Sequence, residues 1–308
     1  MRCLCCGKEL VNTNDFWHKS CINKFFGSNF LPKIDSDLLN KTLDVLGNNI
    51  ISNNKSITGV QKKLSLHLSK DDLPLRLTLL GYPQGYILKP NSQEYPFIAE
   101  AEHLVMTMAD ACNITTAPHA LIKIKDNMSY ITKRVDRIGN DKIHMEDFCQ
   151  LSERLTEYKY SGSYEKCAKI IDKFSISPVL DKSEFFFRLL FCYITGNSDM
   201  HLKNFSLIDS GVGFVLSPAY DLLPVKIIIN DADDLALTLN GKTRNLTKND
   251  FLKFANNIGI LNSAANKLIK KIVNLESRLI DLINNSYLPS AEKIKFIEFL
   301  TNKITVFR

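Results

Sequence analysis

No stretch of this 308-residue chain approaches the roughly 18–20 uninterrupted apolar residues that a membrane-spanning helix needs. The most apolar windows, residues 184–194 and 225–229, are short, and Arg188 interrupts the first. The opening Met1-Arg2-Cys3-Leu4-Cys5-Cys6 lacks the apolar core of a signal peptide. The expectation is a soluble, cytoplasmic protein with no membrane partner. Glycine and proline are few, at 13 and 10, which excludes collagen-like and low-complexity classes. With 45% apolar and 23% charged residues, the composition is that of a globular chain rather than a disordered one. Internal repeats are absent, and so is any block of five or six like charges. The net charge of +6 is carried by scattered lysines. A nucleic-acid binder usually shows a clustered stripe, so direct nucleic-acid binding by the chain alone is not expected. The mild basic balance suits an anionic ligand equally well. The length is long for one compact unit and short for three, which predicts two lobes.

Cysteine is present but unevenly placed. Four of the eight fall in the first 21 residues, and the other four (Cys112, Cys149, Cys167, Cys192) stand alone beside apolar neighbours, as buried thiols do. A disulfide framework is not expected in a chain of this size without an export signal. Cys3 and Cys6 form a C-x-x-C pair, and His18 and Cys21 an H-x-x-C pair. Two such pairs joined by a short loop can surround one tetrahedral Zn²⁺, with Gly7 easing the turn. Cys5 blurs which thiolates would ligate. The plainer alternative is a packed knob of reduced thiols. A zinc held by four protein ligands would be structural, because no position remains for substrate.

The spacing of apolar residues predicts an α+β chain, strand-rich first and helix-rich second. Residues 1–27 form a cysteine-rich knob, 28–137 a first lobe, and 138–308 a helical second lobe. A short helix is predicted near 36–46, stopped by Gly47-Asn48-Asn49. Strands are predicted at 63–68, 73–80 and 85–89, a helix at 97–111, and a hairpin at 120–133 turning around Asp126-Asn127. Helices follow at 146–152, 163–174 and 183–195, then a second hairpin over 204–216. From Leu246 onward the chain reads as helical. Thr247-Lys248-Asn249-Asp250 resembles a capping box, and long helices are predicted at 264–283 and 291–304.

The segment richest in chemistry is Gly196-Asn197-Ser198-Asp199-Met200-His201-Leu202-Lys203-Asn204-Phe205-Ser206. Asp199 and Asn204 stand four residues apart, the Asp-x₄-Asn spacing of phosphotransfer loops. There the Asp orients the attacking hydroxyl and the Asn carbonyl oxygen binds Mg²⁺. One hairpin later, Ser217-Pro218-Ala219-Tyr220-Asp221-Leu222-Leu223-Pro224 returns a carboxylate. Asn204 and Asp221 would give a hard divalent cation two oxygen ligands. Upstream, Gly85-Tyr86-Ile87-Leu88-Lys89-Pro90 places a lysine at the end of an apolar strand. A nucleotide kinase needs such a lysine on phosphate oxygens, held by an acidic partner, here Glu102 or Glu100. Ser56-Ile57-Thr58-Gly59-Val60-Gln61-Lys62-Lys63 would offer backbone N–H groups to phosphate, with Gly59 allowing close approach. It matches neither G-x-G-x-x-G nor the Walker A pattern. Thr132-Lys133-Arg134-Val135-Asp136-Arg137 sits near the midpoint, where an interlobe hinge would read adenine. Each piece alone is also an ordinary turn or charged loop; their order is what speaks for phosphotransfer.

Taken together these stretches, with Ile143-His144-Met145-Glu146-Asp147-Phe148-Cys149-Gln150, resemble the HipA-type toxin kinases of bacterial toxin–antitoxin modules. The resemblance spans about residues 56–240. It implies a bilobal kinase-like fold and Mg-ATP-dependent phosphorylation of a serine or threonine on a protein substrate. A translation protein such as an aminoacyl-tRNA synthetase would be the target. By position, Asp199 would be the catalytic aspartate, Asn204 and Asp221 the Mg²⁺ ligands, and Lys89 the phosphate lysine. Thr58, Gly59, Val60, Gln61, Lys62 and Lys63 would form the phosphate loop, and Lys133, Arg134 and Val135 the adenine hinge. His201, Lys203 and Tyr220 would border the nucleotide. Self-inhibiting autophosphorylation would fall on Ser56 or Thr58, where an added charge of about −1.5 to −2 repels ATP phosphates. The chain is expected to lack the extra N-terminal subdomain of full-length members, with the cysteine knob in its place, and in this it is similar to the short HipT-like members. That subdomain can be a separate small protein. By analogy, a helix-turn-helix DNA-binding antitoxin is a further partner. Two competing readings are a non-catalytic kinase-like module within an antitoxin–DNA repressor complex, and a small-molecule or lipid kinase on a related fold.

Overall fold

The computed structural model describes residues 1–11, 16–34, 63–69, 75–79, 85–92, 94–139, 141–229 and 233–308. These residues form two compact units. The first holds Met1–His103, Ala117–Lys142 and Asn285–Tyr287; the second holds Leu104–Thr116, Ile143–Asn284 and Leu288–Arg308. The helix predicted at 36–46 and the start of the strand predicted at 73–80 lie outside the described residues.

The first unit is built on a six-stranded sheet. Its strands are β1 (Lys33–Ile34), β2 (Leu64–Ser69), β3 (Arg76–Thr78), β4 (Tyr86–Pro90), β5 (His119–Ile124) and β6 (Asn127–Lys133), in the order β1-β3-β2-β4-β6-β5. β1 and β3 run parallel and every other neighbour is antiparallel. β2 shows why the sheet forms here. Leu64, Leu66 and Leu68 are buried while Ser65, His67 and Ser69 alternate with them half-exposed, the period-2 pattern of a strand with one face in the core. β4 lies between β2 and β6, and Pro90 ends it, where a missing N–H costs the ladder little. The β5–β6 hairpin pairs Ile124 with Asn127. The turn is therefore Lys125-Asp126, with Lys125 left-handed at φ 53°, and not the expected Asp126-Asn127. Burial of the apolar residues sets the strand register, and the register overrides the local turn preference. Next to the sheet, the helix Lys19–Phe26 ends at Gly27, which is left-handed at φ 67°.

The second unit is helical around a small three-stranded sheet. Strand Ser206–Asp209 lies between Phe214–Leu216 and Met145–Asp147. Its core is aromatic: Phe205 packs on Phe148, Tyr164 and Phe185, and Phe185 continues to Phe254. Helix Tyr164–Phe174 is capped by Ser163, and helix Pro178–Thr195 opens on Pro178, whose fixed φ suits a first turn. Helix Lys248–Asn257 carries the predicted capping box of Thr247 and Asp250. Two expectations are corrected. Residues 145–147 are a strand and only Phe148–Leu151 is helical, because Asp147 caps that helix rather than joining it. The single helix expected at 264–283 is two, Asn262–Asn274 and Glu276–Asn284, broken at Leu275 without a Gly or Pro to mark the break. Among the described residues, no helix is long and apolar enough to cross a membrane.

Candidate active site

The loop that carries Asp199 and Asn204 begins where helix Pro178–Thr195 stops. Gly196 takes the left-handed conformation at φ 71°, and its N–H closes on the carbonyls of Cys192 and Tyr193. The polar residues that follow are buried: Asn197, Ser198, Asp199, His201 and Asn204 expose between 1% and 7% of their surface. Buried polar groups persist when they are hydrogen-bonded, and the loop is held by such bonds. Asn204 Nδ2 donates to the Asp199 carbonyl at 2.9 Å. The His201 amide donates to that same carbonyl at 2.8 Å, and the Asp199 amide donates to Asn197 Oδ1 at 3.3 Å. The hydroxyl of Tyr160 donates to the Asp199 carboxylate. Two atoms break the pattern: Asn197 Nδ2 and His201 Nε2 are buried with no hydrogen-bond partner among the described residues. His201 Nδ1 accepts from the Lys203 amide at 3.3 Å, so Nε2 carries the ring proton. Burial pulls the His201 pKa down to about 4, against the opposing pull of Asp199 and Asp221. At neutral pH this imidazole is therefore an uncharged donor.

Residues before and after the loop fix it from two sides. Ser206 pairs with Asp147 across the small sheet. Asp147 caps helix Phe148–Leu151 and also binds Lys203 Nζ at 2.7 Å. Tyr220 places its hydroxyl 2.5 Å from Ser206 Oγ and donates to the Lys203 carbonyl at 3.1 Å. Lys203 and Tyr220, expected at the nucleotide, are thus tied into the loop's own framework. Asp221 follows at φ 59°, a left-handed conformation that Asp tolerates better than most residues. Strain of this kind gathers at functional sites.

In the first unit, β4 delivers Lys89. Its Nζ lies 2.6 Å from Glu102 Oε1 and 5.5 Å from the Tyr130 ring centre. Lys89 is 7% and Glu102 1% exposed. Of the two acids left open by the sequence, Glu102 is the partner. Glu100 instead accepts from Asn91 Nδ2 at 2.8 Å, and burial raises its pKa. Lys133 ends β6 with its ammonium over the Phe25 and Tyr86 rings, 5.7 and 5.9 Å from their centres. Its amide donates to the Pro118 carbonyl, and that of Arg134 to the Gly85 carbonyl. The Arg134 guanidinium forks onto Asp136 at 2.8 and 2.9 Å, and Val135 lies half-buried in the turn. Burial works against the Asp136 charge, but Arg134 and Arg137 hold its pKa below the usual value. Lys63 is exposed, while Ser56, Thr58, Gly59, Val60, Gln61 and Lys62 lie outside the described residues. The donor atoms of Cys3, Cys6, His18 and Cys21 gather within 4.8 Å of one another.

Sequence reasoning did not assign Tyr160 or Asp147 a role. Tyr160 stands 39 residues before its partner Asp199, in a loop of mixed polar residues with no motif around it. For Asp147 a signal exists: an Asp three residues before Gln150 is a capping-box pattern.

A family model described as the HipA-like C-terminal domain matches residues 55–279. A Haemophilus influenzae protein named as an inferred kinase is 28% identical over 265 residues, 76% of either chain. The serine/threonine-protein kinase toxin HipA of Shewanella oneidensis is 24% identical over 205 residues, 60% of this chain and 46% of that one. The chain therefore matches about half the length of that relative. Among solved structures, Shewanella oneidensis HipA in its complex with HipB and operator DNA aligns with a TM-score of 0.73 at 17% identity. That alignment covers 96% of this chain and 79% of that one. The Helicobacter pylori proinflammatory kinase CtkA aligns with a TM-score of 0.55 at 16% identity, over 74% and 86% of the two chains. These likenesses give the fold as kinase-like, bilobal and α+β. The matched family span contains the loop with Asp199 and Asn204, the strand with Lys89 and the returning Asp221, and the chain belongs to the HipA-like C-terminal domain family.

Proposed function

We propose that this protein is a Mg-ATP-dependent serine/threonine protein kinase and the toxin of a bacterial toxin–antitoxin module. The observation that carries the reading is the buried, internally hydrogen-bonded loop around Asp199. Its carboxylate is oriented by Tyr160 and its backbone carbonyl by Asn204 and His201. Rigid placement of this kind is what phosphoryl transfer asks of a protein, since positioning and electrostatics supply most of the catalysis. On this reading Asp199 orients the substrate hydroxyl and accepts its proton, with Tyr160 holding the carboxylate in place. Lys89, aligned by its 2.6 Å ion pair with Glu102, steadies the nucleotide phosphates. His201, neutral and with its Nε2–H unpartnered, donates to a phosphate or substrate oxygen. The donor set fits Mg²⁺. The Asn204 amide nitrogen is committed to the Asp199 carbonyl, which leaves its carbonyl oxygen as a ligand, and Asp221 adds a carboxylate. Bound there, the cation would neutralise phosphate charge.

The substrate is a protein hydroxyl, with an aminoacyl-tRNA synthetase or another translation protein as the target class. Ser56 or Thr58 is the autophosphorylation site. Because Shewanella oneidensis HipA was solved with HipB and operator DNA, a DNA-binding antitoxin is the proposed partner here too, with a small N-subdomain-like protein as a second. Phosphate incorporation from Mg-ATP, mapped by mass spectrometry, is the test. Wild-type protein should carry phosphate at Ser56 or Thr58, and Asp199→Asn should lose at least about a hundredfold in rate while melting at the same temperature. Equal incorporation in that variant would overturn the reading.

A further inference from the structure

The geometry assigns a structural zinc site to Cys3, Cys6, His18 and Cys21, and we propose that this ion clamps the N-terminal knob onto the edge of the first unit's sheet. The proposal stands apart from the kinase reading and uses none of its residues.

Three thiols and one imidazole meet at one point. The Cys6 and Cys21 sulfurs lie 3.4 and 3.8 Å from His18 Nδ1. A tetrahedral ion with bonds of about 2.3 Å to sulfur and about 2.0 Å to nitrogen spaces its ligands by about 3.5 Å (S to N) and about 3.8 Å (S to S). The observed gaps match that scale. A metal-free knob accounts for the geometry less well. The one imidazole lone pair can accept from a single thiol, so the remaining S–H groups would crowd together as poor donors and acceptors.

The surroundings are those of a built site. His18 Nε2 lies 3.0 Å from the Glu9 carbonyl, which can only accept. The ring proton is therefore on Nε2, and Nδ1 presents its lone pair to the sulfurs. A backbone carbonyl on the far ring nitrogen is the usual outer support of a metal-bound histidine. Around Cys3, fully buried, the chain folds into a tight turn. Gly7, left-handed at φ 69°, donates its amide to the Cys3 carbonyl at 2.9 Å, and the His18 amide points at the Cys3 sulfur at 3.4 Å. Such a turn after C-x-x-C aims both sulfurs at one centre. Cys5 lies against Cys21 but is not one of the four.

What the site secures follows from the residues between and beside the ligands. Leu4, next to Cys3, accepts from the Leu121 amide on edge strand β5 at 2.8 Å. Trp17, next to His18, donates its indole N–H to the Leu121 carbonyl at 3.2 Å. Both backbone groups that β5 would otherwise present at Leu121 are thus capped by the knob, which covers a sheet edge. Trp17 also packs on Phe25 and Phe26, and both phenylalanines pack on Tyr86 of β4, the strand that carries Lys89. An ion holding residues 3, 6, 18 and 21 together fixes Leu4 and Trp17 over the strand.

The test is elemental analysis of the full chain purified from zinc-supplemented cells, followed by replacement with Co²⁺ alone. The expected result is close to one zinc per chain, with tetrahedral cobalt absorption bands and thiolate charge transfer. Cys6→Ser and Cys21→Ser should lose both signals, while Cys5→Ser and Cys112→Ser should keep them. Should the ligand variants fail to fold, chelation of the wild-type protein serves instead. Metal removal should lower its melting temperature by several degrees and expose Trp17 to fluorescence quenchers. Folded wild-type protein with no zinc and no cobalt bands would overturn the site. So would iron in its place, or zinc retained in Cys6→Ser/Cys21→Ser. An unchanged melting temperature and Trp17 emission after metal removal would overturn the clamp.

Discussion

At the scale of single residues, the ammonium of Lys89 and the carboxylate of Glu102 make the sharpest energetic statement. Both are buried, and their 2.6 Å contact compensates the cost of taking two charges out of water. Removing one partner leaves the other charge in a dry setting, while replacing both with apolar groups does not. Lys89→Met is therefore expected to lower stability by about 3–5 kcal/mol. Lys89→Met/Glu102→Leu should recover most of that loss and yet remain unable to bind Mg-ATP. Urea unfolding gives the first comparison and nucleotide titration the second. A double variant as unstable as the single one would show that packing, not charge pairing, governs this position. The sequence presented both Glu100 and Glu102 as partners. Strand and helix geometry chose Glu102, since Glu100 is occupied by Asn91.

At the scale of elements, the decisive junction is the end of helix Pro178–Thr195. Gly196 turns the chain left-handed at φ 71°, and a Cβ built there would stand 2.9 Å from the Phe299 ring and 3.1 Å from Lys226 Cβ. Gly196→Ala meets two costs at once: the left-handed penalty of roughly 1–2 kcal/mol and overpacking of roughly 1–3 kcal/mol. The loop with Asp199 starts one residue on, so relief of the clash displaces it. The expected outcome is a melting temperature lower by several degrees and a larger fall in autophosphorylation than in stability. Autophosphorylation that merely tracks the folded fraction would refute the link between this cap and the loop. Legibility differs sharply among elements. The capping box at Thr247 and the helix start at Ser163 were readable because caps are local chemistry, whereas the helix expected from residue 183 in fact begins at Pro178. The break at Leu275 was not readable, because no Gly or Pro marks it, and the strand Met145–Asp147 was not, because its partner strand Ser206–Asp209 lies far along the chain.

At the scale of the whole molecule, charge and burial set how the fold responds to acid. His103 lies wholly inside the first unit, with Nδ1 3.1 Å from Nδ1 of His119, itself stacked on Tyr130. Burial first, and then the neighbouring imidazole, hold the His103 pKa well below 6.5. The unfolded chain takes up this proton as pH falls through about 6.5, and the folded chain does not. Stability contributed by neutral His103 is therefore full above that pH and is lost progressively below it. The formal charge of +6 grows in the same direction and adds repulsion. Urea midpoints at pH 7.5 and pH 5 should differ clearly for the wild type, and the difference should shrink in His103→Gln. Parallel curves for the two proteins would remove His103 from the account.

The sequence alone determined what depends on neighbours along the chain: the α+β order, the capping box at Thr247, the helix start at Ser163, and the spacing of Asp199 and Asn204. It also offered the C-x-x-C spacing of Cys3 and Cys6 and the H-x-x-C spacing of His18 and Cys21, while Cys5 left the ligand set open until the structure gathered the four donor atoms. These local patterns follow from periodicity and short-range hydrogen bonding, which a linear reading contains. Only the tertiary structure decided which residues support those groups. Tyr160 reaches Asp199 across 39 positions and Asp147 reaches Lys203 across 56. Tyr220 turned out to brace the loop's backbone. Contacts of that span are fixed by how the core packs and how strands register, and neither is written in any local pattern.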